Sequence, residues 1–370
     1  MEQQQRTFRI GISGSYGGMN LGDEAILSGM LTQLRQSLAA EITVFSRNPQ
    51  DTLARHQVEH AVAVRELTRK EVGREIEGLD LFILGGGGIL YDRDAETYLR
   101  EVFLAHEFGV PVLVYAISAG PLTHASARNA VRDALNRAAI ITVRDRQGYR
   151  LLEDVGIDRE IHLTADPALL LRPDPLPLEA LQSEGVEFDR HLVGFSVREP
   201  GPAAPDIDTA HYYALLANTA DFVVDRLDAD VVFIPMERAD VQHSHGVVAH
   251  MHNSERAEIL RRKYSPQQTL DLLGRFEFVV GMRLHFLIFA ALRGVPFVAL
   301  PYASKVVGFL DELGMETPPM GDVGVGQLIA RIDRSWDTRE EIRARITQRL
   351  PALQSRAEET NRLLAGLLAA

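Results

Sequence analysis

The stretch Arg9-Ile10-Gly11-Ile12-Ser13-Gly14-Ser15-Tyr16-Gly17-Gly18-Met19-Asn20-Leu21-Gly22-Asp23-Glu24-Ala25-Ile26-Leu27 decides the fold. Its first five residues read as a buried strand, and glycines then break the pattern. Beyond them Ile26, Leu27, Met30, Leu31, Leu34 and Leu38 recur at helical spacing. Strand, glycine-rich turn and helix make the first half of a βαβ unit. Working outward, further buried strands are expected at Ile42–Ser46, Leu81–Leu84, Val112–Ile117 and Ile140–Val143, with amphipathic helices between them. Strand–helix alternation of this kind predicts a parallel sheet covered by helices on both faces.

The run Arg172-Pro173-Asp174-Pro175-Leu176-Pro177 interrupts the pattern, because each proline lacks a donor and restricts the residue before it. It reads as a linker. Alternation resumes with strands expected at Leu192–Ser196, Val231–Ile234, Phe278–Val280 and Phe297–Leu300, and a last helical segment over 338–368 is interrupted by Pro351. The expected fold class is α/β, with two doubly wound Rossmann-like domains, 1–172 and 173–370, facing a central cleft.

Bulk properties narrow the function. The chain has 370 residues, 46% hydrophobic and 24% charged, which excludes a disordered or fibrous protein. A net charge of −12 argues against general nucleic-acid binding, which rests on cationic contacts to phosphates. Any anion site must be a local cationic pocket in a negative background. The absence of cysteine removes disulfides, thiolate metal sites and a cysteine nucleophile, and fits a reducing, cytoplasmic compartment. Met1–Gln5 carries no secretory n-region, and the apolar run Phe286–Leu292 is too short to span a bilayer. A peripheral visit to a membrane, to meet a lipid-linked substrate, stays open.

Ligands of open parallel sheets sit at strand carboxyl ends, near helix N-termini. Four turns there draw interest. In the first, Gly17, Gly18 and Gly22 let backbone approach a ligand, and Asp23 is either a helix cap or a catalytic group. The spacing does not complete G-x-G-x-x-G and no acidic residue ends the second strand, so neither a dinucleotide nor any other cofactor is expected. In the second, Gly85-Gly86-Gly87-Gly88, close approach of Gly86 and Gly87 to a ligand competes with a structural crossover. The third is Gly281-Met282-Arg283-Leu284-His285. Cations at a helix N-terminus are unfavourable by up to about 1 kcal/mol each unless an anion lies between them. The alternatives are a neutral buried imidazole for His285 and an interdomain salt bridge for Arg283. The fourth, Pro301-Tyr302-Ala303-Ser304-Lys305, opens another helix with Lys305 near its start and Ser304 as a cap. Arg144 and Arg198 follow strands in the same way. The pattern points to a polyanionic ligand.

His243, His245, His250 and His252 lie within ten residues, with Asp240 near by, a spacing that allows metal chelation. No supporting shell accompanies them, and a histidine-rich loop or short helix is the commoner outcome. No metal is expected.

Together these motifs resemble the polysaccharide pyruvyl transferase family. The likeness rests on Asn20-Leu21-Gly22-Asp23-Glu24-Ala25-Ile26, Gly85–Gly88 with Ile89-Leu90, Gly120-Pro121-Leu122, Val143-Arg144-Asp145, Asp166-Pro167-Ala168, and Gly281–His285 with Pro301-Tyr302 and Lys305. It implies a glycosyltransferase-B-like fold, phosphoenolpyruvate as donor, and a hydroxyl pair on a glycan or lipid-linked saccharide as acceptor. It further implies roles in catalysis or donor binding for Asp23, Arg144, His285 and Lys305. Competing readings are a nucleotide-sugar glycosyltransferase of the same layout and a non-catalytic glycan- or anion-binding protein. The helix Phe286–Leu292 supplies no carboxylate for a ribose, which disfavours the first.

Overall fold

A computed structural model of the chain describes residues 6–199, 208–300, 303–317 and 324–369. The chain divides into two compact units, one formed up to Leu171 together with the segment from Leu353, the other formed by Arg172–Ala352. The first unit opens with β1 (Phe8–Ser13), α1 (Leu21–Ser37), β2 (Ala40–Ser46), α2 (Pro49–Arg55), β3 (His60–Ala63), α3 (Arg69–Glu77) and β4 (Leu81–Leu84). It continues through β5 (Gly87–Leu90), α4 (Ala95–Glu107), β6 (Val112–Ala119), α5 (Ala125–Leu135), β7 (Ile140–Val143), α6 (Arg146–Val155) and β8 (Ile161–Leu163). The second unit holds α7 (Leu178–Gln182), β9 (His191–Ser196), α8 (Thr209–Leu227), β10 (Ala229–Phe233), α9 (Arg238–Val248) and β11 (Ala257–Ile259). After these come α10 (Pro266–Leu273), β12 (Phe278–Gly281), α11 (Leu284–Leu292), β13 (Phe297–Ala299), α12 (Ser304–Glu312), α13 (Val325–Asp337) and α14 (Arg339–Ala369).

Each unit is a wholly parallel sheet. Among the described residues the first runs β3-β2-β1-β4-β6-β7-β8, with β5 pairing β6 off that path, and the second runs β11-β10-β9-β12-β13. The chain crosses from β1 through α1 to β2 on one side, while β4 lies on the other side of β1. Strand order therefore reverses at β1/β4, and by the same reasoning at β9/β12. These are the places where open α/β sheets bind ligands.

The inner strands are buried along their length, as continuous apolar runs require. Two apolar cores fill the faces of the first sheet. One gathers Val72, Leu99, Val131 and Leu152 from α3 to α6. The other gathers Ile26, Met30 and Leu34 of α1 with Leu364 of α14. That second core explains why the segment from Leu353 belongs to the first unit, whereas sequence patterning had grouped it with 173–370. Leu353, Ala357 and Leu364 are 5%, 0% and 0% exposed. The same burial carries the helix through Pro351: α14 is continuous over Arg339–Ala369, where an interruption was expected. Proline removes one hydrogen bond, but apolar contacts on both flanks hold the backbone helical.

The anticipated strands are all present. Those that patterning missed, β3, β8 and β11, are three or four residues long and half-exposed at sheet edges, so no apolar run announces them. β5 escaped notice because it begins in the glycine run. It pairs with the far half of β6, Gly87 with Ile117 and Gly88 with Ser118. The pairing depends on a bulge: β6 shifts register against β7 between Val114 and Ile117, and Ala116 there has φ 45°. A left-handed alanine is strained, by roughly 1–2 kcal/mol. Thr142 of β7 compensates, its Oγ1 accepting from Ala116 N at 2.7 Å and donating to Val114 O at 3.0 Å.

Candidate functional site

In the first unit the turn between β1 and α1 is built by α1 itself. Asn20 is the cap, its side chain accepting from Gly22 N at 2.9 Å and Asp23 N at 3.4 Å. The capping role considered for Asp23 thus falls to Asn20. Glu24, fully buried, turns back to accept from Gly17 N at 2.9 Å and meets His56 Nε2 at 2.7 Å. Gly17 has φ +73°, and the space a Cβ would need is taken by Ser46 and Asn48. A Cβ on Gly18 would lie 3.3 Å from Arg47 Nη1.

The glycine run stands at the adjacent strand end, across the β1/β4 switch. Gly86 leaves room for Ile26, 2.9 Å from a Cβ built there, and for the carbonyls of Tyr115 and Ala116. Gly87, at φ +103°, has Asp23 Oδ1 3.6 Å from the corresponding position. The bulge in β6 therefore brings bare Gly87 backbone beside the Asp23 carboxylate. Tyr16 fills the floor between these turns, its hydroxyl pushed well above its ordinary pKa by burial and by the carboxylates of Asp23 and Glu24.

Arg144 follows β7 and is buried, with Nη1 donating to Asp166 Oδ2 at 2.5 Å. Asp166 Oδ1 also caps the 3-10 turn Pro167–Leu170 by accepting from Ala168 N at 3.0 Å. The Arg144 charge is thus already met by a carboxylate of its own unit.

In the second unit the ends of β9, β12 and β13 are adjacent, with Ser196 opposite Gly281 and Gly281 opposite Ala299. Arg198, Arg283, His285 and Lys305 all follow these ends within a few residues. Arg283 occupies the N-cap of α11 and is held by the start of α9. Its Nε donates to Asp240 Oδ2 at 3.1 Å, its Nη2 to Asp240 Oδ1 at 2.5 Å and to Glu237. Asp240 is fully buried; burial pushes its carboxyl up, against the pull of Arg283. The salt bridge entertained for Arg283 therefore exists, within one unit. Arg198 pairs with its neighbour Glu199.

His285 sits in the first turn of α11, half-buried, on a helix otherwise buried nearly all round. Lys305, also half-buried, is in the first turn of α12. Among the described residues neither helix start carries a side-chain cap; at α12 the N-cap is Ala303, so Ser304 does not serve as one. Pro301 and Tyr302 fall outside the described residues, as does most of the segment 199–208. Between β9 and β12, Ser196 Oγ is buried with no hydrogen-bond partner among the described residues. Tyr212 of α8 ties these strand ends together, its hydroxyl 2.6 Å from both Arg198 O and Met282 Sδ.

Two of the histidines, His243 and His250, pack on the Tyr213 ring. His243 bonds Tyr213 at 2.9 Å, His250 closes α9 by bonding Gly246 O at 2.8 Å, and no group of three metal-ligating side chains exists among the described residues. Nor, among them, is any helix long and apolar enough to cross a membrane.

Patterning reads Glu24, like Asp23, as a carboxylate suited to a helix N-terminus, and it overlooks the partner His56, Tyr212, and the cations Arg47 and Arg65 as anion-binding groups. Arg47 immediately follows β2, the same placement that singled out Arg144 and Arg198, so the signal was present. Arg65 follows β3, an edge strand with no signal of its own.

Comparison with known proteins fits this architecture. Among solved structures, a candidate UDP-N-acetylglucosamine 2-epimerase from Listeria monocytogenes is 13% identical, with a TM-score of 0.67 over 97% of this chain and 95% of that one. The UDP-GlcNAc 2-epimerase of Neisseria meningitidis, bound to UDP-GlcNAc, is 10% identical, with a TM-score of 0.62 over 99% and 100%. At such identity the likeness shows the fold alone, an α/β fold of the glycosyltransferase-B-like class. No curated protein matches the chain. The sequence model of one family does match, that described as polysaccharide pyruvyl transferase, over residues 20–304. That span runs from the Asn20 cap to the first residue of α12, taking in every strand end described above except that of β1, and the chain belongs to the polysaccharide pyruvyl transferase family.

Proposed function

We propose that the protein transfers the pyruvyl group of phosphoenolpyruvate to two hydroxyls of a glycan or lipid-linked saccharide, closing a cyclic ketal. One observation carries the reading: two helix starts without a side-chain cap among the described residues follow the adjacent parallel strands β12 and β13 and bear His285 and Lys305 beside the β9/β12 switch of the second unit. The positive helix ends and two cationic side chains make a site for a ligand with more than one negative charge. Phosphoenolpyruvate carries a carboxylate and a phosphate. Lys305 and Arg198 hold these groups, with Ser196 Oγ offering a neutral hydrogen bond. Arg283, locked by Asp240 and Glu237, fixes the start of α11, and Arg144, locked by Asp166, adds its positive field in the first unit; either guanidinium can still share an anion.

His285 in its protonated form donates its proton to the methylene carbon of the donor while a sugar hydroxyl attacks the neighbouring carbon. Asp23 takes that hydroxyl's proton. The carbon–oxygen bond to phosphate then breaks, the proton on Asp23 leaves with the phosphate, and the second hydroxyl attacks the same carbon. Its proton returns to His285. Atoms and charge balance, with one inorganic phosphate released per ketal formed and no cofactor consumed.

His285→Ala is expected to lower phosphate release from phosphoenolpyruvate by about 10²–10⁴-fold, with an unchanged circular dichroism spectrum. Turnover within a few-fold of the unaltered protein would reject the assignment. The nucleotide-sugar alternative has one point in its favour, the fold shared with an epimerase bound to UDP-GlcNAc. Against it, α11 reads Leu-His-Phe-Leu-Ile-Phe-Ala-Ala-Leu and offers no carboxylate to a ribose. Supplying a UDP-sugar in place of phosphoenolpyruvate and assaying for UDP separates the two.

A further inference from the structure

We propose that Arg47, Arg65 and Tyr98 form a second anion site, wholly within the first unit, that holds a phosphate ester on the saccharide acceptor. The occupant rests on the acceptor reading above; the site rests on its own geometry. Arg47 follows β2 and Arg65 follows β3, neighbouring parallel strands that lie on one side of β1 and its glycine turn. Arg47 Nη2 donates to the Tyr98 hydroxyl at 2.5 Å and to Ser15 Oγ at 3.3 Å, while the Arg65 guanidinium lies over the Tyr98 ring, 5.0 Å from its centre. Arg65 also donates to Thr97 O at 3.3 Å. Among the described residues neither arginine is joined to a carboxylate by a direct ion pair, although the buried Glu101 carboxylate lies within electrostatic reach of Arg65.

That arrangement is unusual in a chain with 51 acidic residues and a net charge of −12. The third cation of the cluster, Arg100, is matched by buried Glu101 at 2.7 Å, and the nearby Asp94 carboxylate bonds Tyr91. Glu101 bonds Arg100 directly and attracts Arg65 only through space, so the guanidiniums of Arg47 and Arg65, gathered around one buried ring, keep room for a dianion in direct contact. A phosphate monoester or diphosphate supplies both the charge and acceptor oxygens for two guanidinium forks; a carboxylate supplies half of that charge. Tyr98 accepts from Arg47, which leaves its own hydroxyl proton to donate. Gly18 belongs to the same construction, because a Cβ there would press on Arg47 Nη1. Sugar phosphates come from two sources, soluble sugar phosphates and lipid-linked diphosphates, with the same recognition chemistry.

The test is calorimetric titration of the full chain with glucose 1-phosphate, with a short-prenyl diphosphate-linked glucose, with glucuronic acid and, separately, with phosphoenolpyruvate. The unaltered protein is expected to bind at least one of the two phosphate esters, and glucuronic acid at least tenfold more weakly. Arg47→Met with Arg65→Met is expected to weaken the phosphate ester by about 10²-fold, a factor of ten for each charge-assisted contact. Both side chains are exposed, so the double variant should keep its thermal unfolding midpoint. Which ester binds more tightly identifies the source. Equal affinity in the double variant, equal affinity for glucuronic acid, or no binding of either ester overturns the proposal. Phosphoenolpyruvate keeps the readings apart: if it fails to bind while the ester binds through these arginines, the donor reading falls and this site stands.

Discussion

Glu24 lies in the first turn of α1, where a carboxylate reads as a complement to the helix dipole. Its environment assigns it more: buried completely, it accepts from Gly17 N and from His56, and so holds the turn that precedes Asp23. Nothing in the local sequence distinguishes it from Asp23, because the difference lies in His56, 32 residues away. The arginines teach the same lesson. Their position after strands was legible, whereas their carboxylate partners were not; Asp240 pairs Arg283 across 43 residues and Asp166 pairs Arg144 across 22. Asp92 offers a test at this scale. It accepts from the Thr123 hydroxyl at 2.6 Å and from the backbone N–H groups of His124 and Thr123, and these bonds pull its carboxyl down to about 2. A carboxyl lowered on folding adds stability above its ordinary value of 3.8, and the gain is lost as pH falls toward 2. Asp92→Asn should therefore unfold at lower urea than the unaltered protein at pH 6, and the two should converge as pH falls from 4 to 2. A gap independent of pH would contradict the assignment.

Elements were more legible than residues. A buried parallel strand is a short apolar run between turn signals, and its neighbours need not be known to recognise it. Edge strands lack the run, and β5 hides in glycine, so the feature that sets Gly87 beside Asp23 could not be read. That feature is the bulge at Ala116, and it depends on Thr142. Replacing Thr142 by Val keeps shape and burial but leaves Ala116 N–H buried without an acceptor, a loss of about 1–3 kcal/mol. The expected signature is a lowered urea midpoint, the shift times the unchanged slope equalling that loss. Activity should fall beyond the stability loss, since β5 and Gly87 are released from register. A variant as stable and as active as the unaltered protein would show that the bulge supports itself.

For the whole molecule, alternation predicts two parallel sheets, whereas strand order depends on contacts between distant segments that no local pattern encodes. The membership of the final helix was out of reach, because Leu353, Ala357 and Leu364 are ordinary helical apolar residues until their partners are known. For Leu364 they are the cluster of Ile10, Met30 and Leu34, at the other end of the chain. Hydroxyls reinforce the join: Thr360 Oγ1 lies 3.1 Å from Thr142 Oγ1 and 3.2 Å from Thr164 Oγ1. Ending the chain after Ala352 should lower the stability of the first unit by ~4 kcal/mol from the loss of Leu353 and Leu364 alone. Scanning calorimetry should show one transition moved down and the transition of the second unit in place. Equal shifts in both would mean that the helix does not belong to one unit.

The return of α14 to the first sheet also orders events at the ribosome. Synthesis releases residues 172–352 before the segment that closes the core around Ile10 and Met30. The unit translated first is therefore finished last, and until then one apolar flank of the nascent sheet stands open to chaperones.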